Sequence, residues 1–161
     1  MIEDQRSSTF QKGFILVLEF VSHFPEWHHV LFKVQDADNS IRFYSEYLGM
    51  NAILDQRDSD GNRWVWLRFA ENPYAPLFVL MEDIHMKKAP QAPASLQSFS
   101  FRLPDLKPVE EISAKAKNDD CLVEPAKYGG HMRGYFCIVA DPDGNQMEFS
   151  YLLSPKPGQA H

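Results

Sequence analysis

Cysteine is nearly absent: Cys121 and Cys137 are the only two in 161 residues. They lack CxxC spacing, so neither a disulfide framework nor a zinc knuckle organises the chain. Free thiols in a reducing cytoplasm are the simpler reading. Long apolar runs are missing too. The only candidate for a targeting segment, Phe14-Ile-Leu-Val-Leu-Glu-Phe-Val21, is too short to span a bilayer and contains Glu19. His23, Phe24, Pro25 and Glu26 follow it, where a small-residue cleavage site would stand. Basic clusters are absent and the net charge is −6, which argues against a nucleic-acid partner. No nucleotide fingerprint occurs, so no nucleotide cofactor is expected. The glycines of Tyr128-Gly129-Gly130-His131 suit a mobile loop at a cleft mouth. What remains, 44% hydrophobic and 24% charged residues, is ordinary for a globular protein with one well-buried domain or two small modules sharing a sheet.

The most informative stretch is Ala140-Asp-Pro-Asp-Gly-Asn-Gln-Met-Glu-Phe-Ser-Tyr151. Its Asp-Pro-Asp-Gly segment is a turn, because proline presets one backbone angle and glycine tolerates the positive one. Met147, Phe149 and Tyr151 then alternate with Gln146, Glu148 and Ser150, the pattern of a half-buried strand with Glu148 on the polar face. Upstream, residues 29–34 alternate as a strand. Asp36 or Asp38 caps a helix over about 39–48, and Gly49 stops it. Strands at about 51–57 and 62–69 flank an Asp60-Gly61 turn, and a fourth runs over 77–83.

A second unit repeats this order. Phe32-Lys-Val-Gln-Asp36 reappears as Phe101-Arg-Leu-Pro-Asp105, an offset of 69 residues (101 − 32 = 69). Pro108 stands where a helix begins, with Val109, Ile112 and Ala116 on its inner face and Glu111–Lys115 as a supporting pair. Strands follow at about 121–126, 133–139 and 145–152. The expected organisation is an extension over 1–27, a domain over 28–152 with modules 28–83 and 97–152 joined by a linker at 84–96, and a tail over 153–161. The fold class is α+β: two tandem βαβββ modules forming a curved mixed sheet around a cleft, with helices on the outer face.

Alternation sorts each strand into a helix-packed and a cleft face. The cleft set is His29, Leu31 and Lys33; Trp64, Trp66 and Arg68; Val79 and Met81; Ser98, Ser100 and Arg102; and Glu148 and Ser150. Glu82 falls on the helix-packed side. Lys33, Arg68 and Arg102, with Arg133 from the 128–133 loop, favour an anionic or carbonyl-bearing small molecule, and His131 on the same loop is placed to approach the cleft. Trp64 and Trp66 offer flat apolar walls. Cys137, in an apolar strand, reads as an inert buried thiol.

His29-Val30 before the strand–Asp36–helix–Leu48-Gly49 segment, together with Asp141-Pro-Asp-Gly-Asn-x-x-Glu148, resembles the vicinal oxygen chelate superfamily over residues 28–152. That group includes glyoxalase I, extradiol dioxygenases, methylmalonyl-CoA epimerase, and fosfomycin and bleomycin resistance proteins. The resemblance implies four pseudo-symmetric cleft positions that hold a divalent ion such as Zn, Ni, Mn, Fe or Co. Here they are His29, Val79, Ser98 and Glu148. His29 and Glu148 fit as metal ligands; valine offers no lone pair and a serine hydroxyl is a poor donor, whereas a catalytic zinc wants three protein ligands. Without metal, the two are expected as a hydrogen-bonded pair, either structural or acting as acid and base.

The resemblance therefore implies a lyase or isomerase acting on a small anionic or carbonyl-bearing substrate, with Glu148 and His29 catalytic, and not standard glyoxalase I. The substrate-binding set is Lys33, Trp64, Trp66, Arg68, Ser98, Arg102, His131 and Arg133. The alternative is a metal-free sequestering protein of the bleomycin-resistance type, although a basic cleft opposes that cationic drug itself. An extradiol dioxygenase fits less well, since Ser98 stands where a second histidine is wanted. The expected partners are a small-molecule ligand and a second copy of the chain, with no nucleic acid and no membrane.

Overall fold

The protein is represented by a computed structural model in which residues 27–83, 85 and 98–152 are described. The expected extension up to residue 26, the linker apart from His85, and the tail from 153 onward lie outside the described residues. The elements run β1 (His29–Val34), α1 (Ala37–Leu48), β2 (Met50–Arg57), β3 (Arg63–Phe69), β4 (Leu77–Glu82), β5 (Ser98–Arg102), α2 (Leu106–Asn118), β6 (Leu122–Tyr128), β7 (Tyr135–Ala140) and β8 (Gln146–Tyr151). This is the expected pair of βαβββ modules in an α+β fold. Each module forms a four-stranded mixed sheet, in the orders β1-β4-β3-β2 and β5-β8-β7-β6.

The repeat is followed closely. In the parallel pairs, His29 stands opposite Leu77 and Leu31 opposite Val79, while Ser98 stands opposite Gln146 and Ser100 opposite Glu148. Every partner is displaced by the 69 residues seen between Phe32 and Phe101. Both helices start on an aspartate at that offset: Asp36 accepts from the Asn39 amide and Asp105 from the Leu106 amide. A carboxylate at that position satisfies an amide that the first helical turn leaves orphaned.

Two local expectations need correction. The second helix begins at Leu106, two residues before Pro108. Proline needs no amide partner in a first turn, so it is tolerated there as well as at the first position. The Glu111–Lys115 pair does not form. Lys115 instead reaches Asp119 at 2.5 Å and Glu46 at 2.8 Å, and Glu111 pairs with Lys107 at 3.3 Å. Asp119 is the C-cap, so a lysine beside it also faces the negative end of the helix dipole.

The core lies between the modules. Val30, Phe32, Val34, Val65, Leu67, Phe78 and Leu80 of the first belong to one apolar cluster with Phe99, Phe101, Val139, Met147 and Phe149 of the second. The ring geometry fixes how the sheets meet. Phe69 lies on β3, two strands in from β1, yet its ring centroid is 6.1 Å from that of Phe101 on β5. Phe78 on β4 is 5.9 Å from Phe99 and 6.4 Å from Phe101. Were the sheets continued edge to edge through β1, three strand spacings, about 14 Å, would separate Phe69 from Phe101. The sheets therefore stack through their helix-side faces, and their polar faces turn outward.

The Asp141-Pro142-Asp143-Gly144 turn clamps this stack. Asp141 is buried, and its carboxylate accepts from the Asp143 and Asn145 amides, from Asn145 Nδ2, and from Tyr44 Oη at 2.7 Å across the module boundary. Asp143 Oδ1 accepts from the Gln35 amide at 3.0 Å. Burial first, and then the Asp141 charge, pushes the Tyr44 hydroxyl well above its ordinary pKa, so it stays a donor.

Candidate functional site

The expected cleft residues divide between two faces. On the module 1 face the strand register aligns Leu31 with Val79 and Trp66, and Lys33 with Met81 and Trp64. His29, Leu31 and Lys33 are exposed, whereas Val79 is buried at 2%. The His29 ring lies 5.6 Å from Trp66, and its Nδ1 is 2.8 Å from Nδ1 of His28, which also approaches Trp66. Trp64 donates its indole N–H to Asp58 at 2.9 Å, tying its ring toward the β2–β3 turn. Arg68 is exposed at the far end of the same strand. Glu82 lies on the helix-packed side as expected, where it accepts from the Ala37 amide at 3.0 Å.

On the module 2 face Glu148 pairs in register with Ser100 and Ile138, and Arg102 with Ser150. Ser100 Oγ donates to Glu148 Oε1 at 3.2 Å. Arg133 Nε and Nη2 both reach Glu148 Oε2 at 2.6 Å. The Arg133 guanidinium lies 3.5 Å from the centroid of Phe136, and Lys127 Nζ lies 5.6 Å from the same ring. Ser98 holds the first position of β5, opposite Gln146. His131 is exposed and contacts Tyr128, with Nδ1 3.4 Å from its hydroxyl. Cys137 lies on the opposite, apolar side of β7. Burial first, and then the charge of Glu148, raises its thiol to about 11, consistent with an inert residue.

The structure thus brings together Glu148, Ser100 and Arg133 on one face, and His29 and Trp66 on the other. No hydrogen bond, ion pair or ring contact links His29 to Glu148 among the described residues; each has its partners in its own module. Among the described residues no three His, Cys, Asp or Glu side chains gather as a metal cage. The direct grip of Arg133 on Glu148 has no signature in the sequence pattern. Alternation orients strand residues, but Arg133 stands in a turn after β6, where periodicity says nothing. A separate groove of about 720 Å³ between α1 and the Asp141–Gly144 turn, lined by Arg42, Glu46, Tyr47, Asp119 and Cys121 among others, holds none of the expected site residues.

No helix among the described residues is long and apolar enough to cross a membrane. In sequence, the chain is 29% identical over 134 residues to an uncharacterized protein of Pseudomonas aeruginosa, covering 83% of this chain and 94% of that one. In structure, it resembles the trypanothione-dependent glyoxalase I of Leishmania major with a TM-score of 0.61 and 22% identity, over 80% of this chain and 87% of that one. A fosfomycin resistance protein of Listeria monocytogenes gives a TM-score of 0.61 at 14% identity, over 80% and 94%. At such identities the likeness concerns the fold. Residues 27–149 match the family described as the Glyoxalase/Bleomycin resistance protein/Dioxygenase superfamily. With two stacked βαβββ modules and this match across most of its length, the chain belongs to that superfamily, the vicinal oxygen chelate group.

Proposed function

We propose that the protein is a lyase or isomerase acting on a small substrate that carries an oxyanion or carbonyl beside a flat apolar part, in a cleft completed by two copies of the chain. The observation that carries this reading is the division of groups between two outward faces. Module 1 offers His29, the aromatic surface of Trp66 with Trp64 beside it, and the cations Lys33 and Arg68. Module 2 offers Glu148 with Ser100, Arg102 and Arg133, and Ser98 and His131 belong to the same half. In a homodimer that sets module 1 of one chain against module 2 of the other, His29 comes opposite Glu148. Glu148 then moves the proton and His29 acts as its acid–base partner. The arginines and Lys33 hold the oxyanion by charge-assisted hydrogen bonds, and Trp66 lies along the apolar part. Two free thiols suit a cytoplasmic setting.

Members of the superfamily commonly use a divalent metal, but the donors here do not fit one within a single chain. Val79 and Ser98 occupy two of the four positions, and Arg133 already engages Glu148 Oε2. Across two chains His29 and Glu148 supply two protein donors for Zn, Ni, Mn, Fe or Co, one fewer than a catalytic zinc site needs. No step is assigned to a metal.

The Arg133–Glu148 pair also favours a second reading, a sequestering protein that binds such a molecule without reacting. The two separate in one experiment. The protein is incubated in D2O with a panel of small 2-oxo and 2-hydroxy acids, and deuterium incorporation is followed by NMR. Incorporation that disappears in Glu148→Gln supports the enzyme. Tight binding with no exchange supports sequestration, and exchange unaffected by Glu148→Gln contradicts the role given to that residue. Elemental analysis and divalent-metal titration of the wild type and His29→Ala decide the cofactor.

A further inference from the structure

Both oxygens of the Glu148 carboxylate are already engaged by protein groups, so the resting site needs a way to release it. Its side chain is 13% exposed and that of Arg133 39%, which places the arginine on the solvent side of the pair. Both Arg133 nitrogens converge on Oε2, and Oε1 is held by Ser100. The turn that presents Arg133 is closed on itself: the Gly129 amide donates to the Gly134 carbonyl at 2.7 Å, and the Gly134 amide to the Gly130 carbonyl at 2.8 Å. A Cβ at Gly129 would stand 2.5 Å from the Phe136 ring. At Gly134, where φ is +71°, it would stand 2.3 Å from the Tyr151 carbonyl. Any side chain at either position would lift the turn away from the ring and strand edge on which Arg133 rests. The turn is therefore a tight knuckle, and the freedom lies in the long Arg133 side chain, stacked on Phe136.

We propose that Arg133 is both the internal counter-ion of Glu148 and the anion receptor of the site. A ligand oxyanion, whether carboxylate, phosphate or phosphonate, competes with Glu148 for the guanidinium, and binding frees the carboxylate beside the bound ligand. This rests on the reading above only in that the ligand enters on the module 2 face. Arg133 thereby acts as a positioning residue, since it sets when Glu148 is available. It also selects for anionic ligands, because a neutral molecule has nothing with which to draw the guanidinium off. The internal competition carries a quantitative consequence. Apparent affinity is reduced by the fraction of protein in which the receptor is free, so a pair closed in about nine molecules of ten costs an external anion about tenfold.

The test uses inorganic phosphate as the probe and the full chain. Affinities are measured by calorimetry for the wild type, Glu148→Gln, Arg133→Ala and the double variant. Glu148→Gln is expected to bind phosphate about tenfold more tightly than wild type. Arg133→Ala and the double variant are expected to lose that binding. Equal or weaker binding by Glu148→Gln, or binding that survives Arg133→Ala, overturns the proposal. A measurement on wild type guards against a variant that fails to fold. The Arg133 Nε–H resonance, assigned by its loss in Arg133→Lys, is expected to shift on phosphate addition together with the Glu148 side-chain carboxyl carbon. Movement of neither signal at saturating phosphate likewise overturns it. Because no readout is turnover, failure of the lyase or isomerase reading leaves these outcomes unchanged.

Discussion

The two modules use one turn in two ways. Asn72-Pro73 in the first and Asp141-Pro142 in the second stand at the common offset. In each, the leading side chain accepts the amide two residues on, and its carbonyl accepts the amide three residues on. Yet Tyr74 is 96% exposed, whereas Asp143 is 8% exposed and tied to the other module. The cleft faces differ in the same manner. Val79 and Glu148 hold equivalent places opposite Leu31 and Ser100, one an apolar wall and the other a carboxyl group with two partners. The two modules share the backbone hydrogen bonding, while their side chains are divided between clamp and site. A composite cleft made from one face of each kind would hold complementary groups; one made from two like faces would not.

The largest effect that would sharpen this comparison concerns the shared core. Phe78→Ala is expected to cost about 3–5 kcal/mol, since the ring packs on Phe32 and Tyr44 of its own module and on Phe99 and Phe101 of the other. Both modules should then lose structure in one denaturant transition at a lowered midpoint. Two separated transitions would show that the stack is not the common core. Next comes the turn pair. Asp141→Ala leaves the buried Tyr44 hydroxyl without its acceptor and is expected to cost about 2–3 kcal/mol. Asn72→Ala, at an exposed turn, should stay within about 0.5 kcal/mol. Equal losses in urea denaturation would erase the distinction drawn between the turns.

The smallest effect is a titration confined to module 1. The Asn62 side chain and then the Trp64 indole hold the Asp58 carboxyl at about 2, below the ordinary 3.8. A depressed folded pKa contributes stability that is present above the unfolded value and lost as pH falls through the folded one. The Trp64 Nε1–H resonance should therefore titrate with a midpoint near pH 2. A midpoint at the ordinary carboxylate value would remove the hydrogen bond from the account.

These contrasts also mark what the sequence makes legible. The outward sets of β1, β3, β4, β5 and β8 follow from a period of two, and the helix starts from aspartates at a fixed spacing. The stacking of the sheets leaves no such trace, because Phe69 meets Phe101 only through the placement of whole modules. Edge-to-edge and face-to-face arrangements demand the same alternation. Charge and loop position point Arg133 toward the cleft, but its hold on Glu148 depends on how the 129–134 turn closes. The Glu111–Lys115 spacing was correct for a helix pair and lost to Asp119 and Glu46, which a one-helix reading cannot place beside Lys115.

The central claim is that the His29 face and the Glu148 face are half-sites that meet between two chains. Dipolar spectroscopy tests it directly, with nitroxides at Leu31 and Ser100 in a Cys121→Ser background. Chains labelled only at residue 31, mixed with chains labelled only at residue 100, are predicted to show the stronger coupling. Doubly labelled chains diluted into unlabelled protein should show the weaker one. Strong coupling within the diluted single chain, with none in the mixture, would contradict the account.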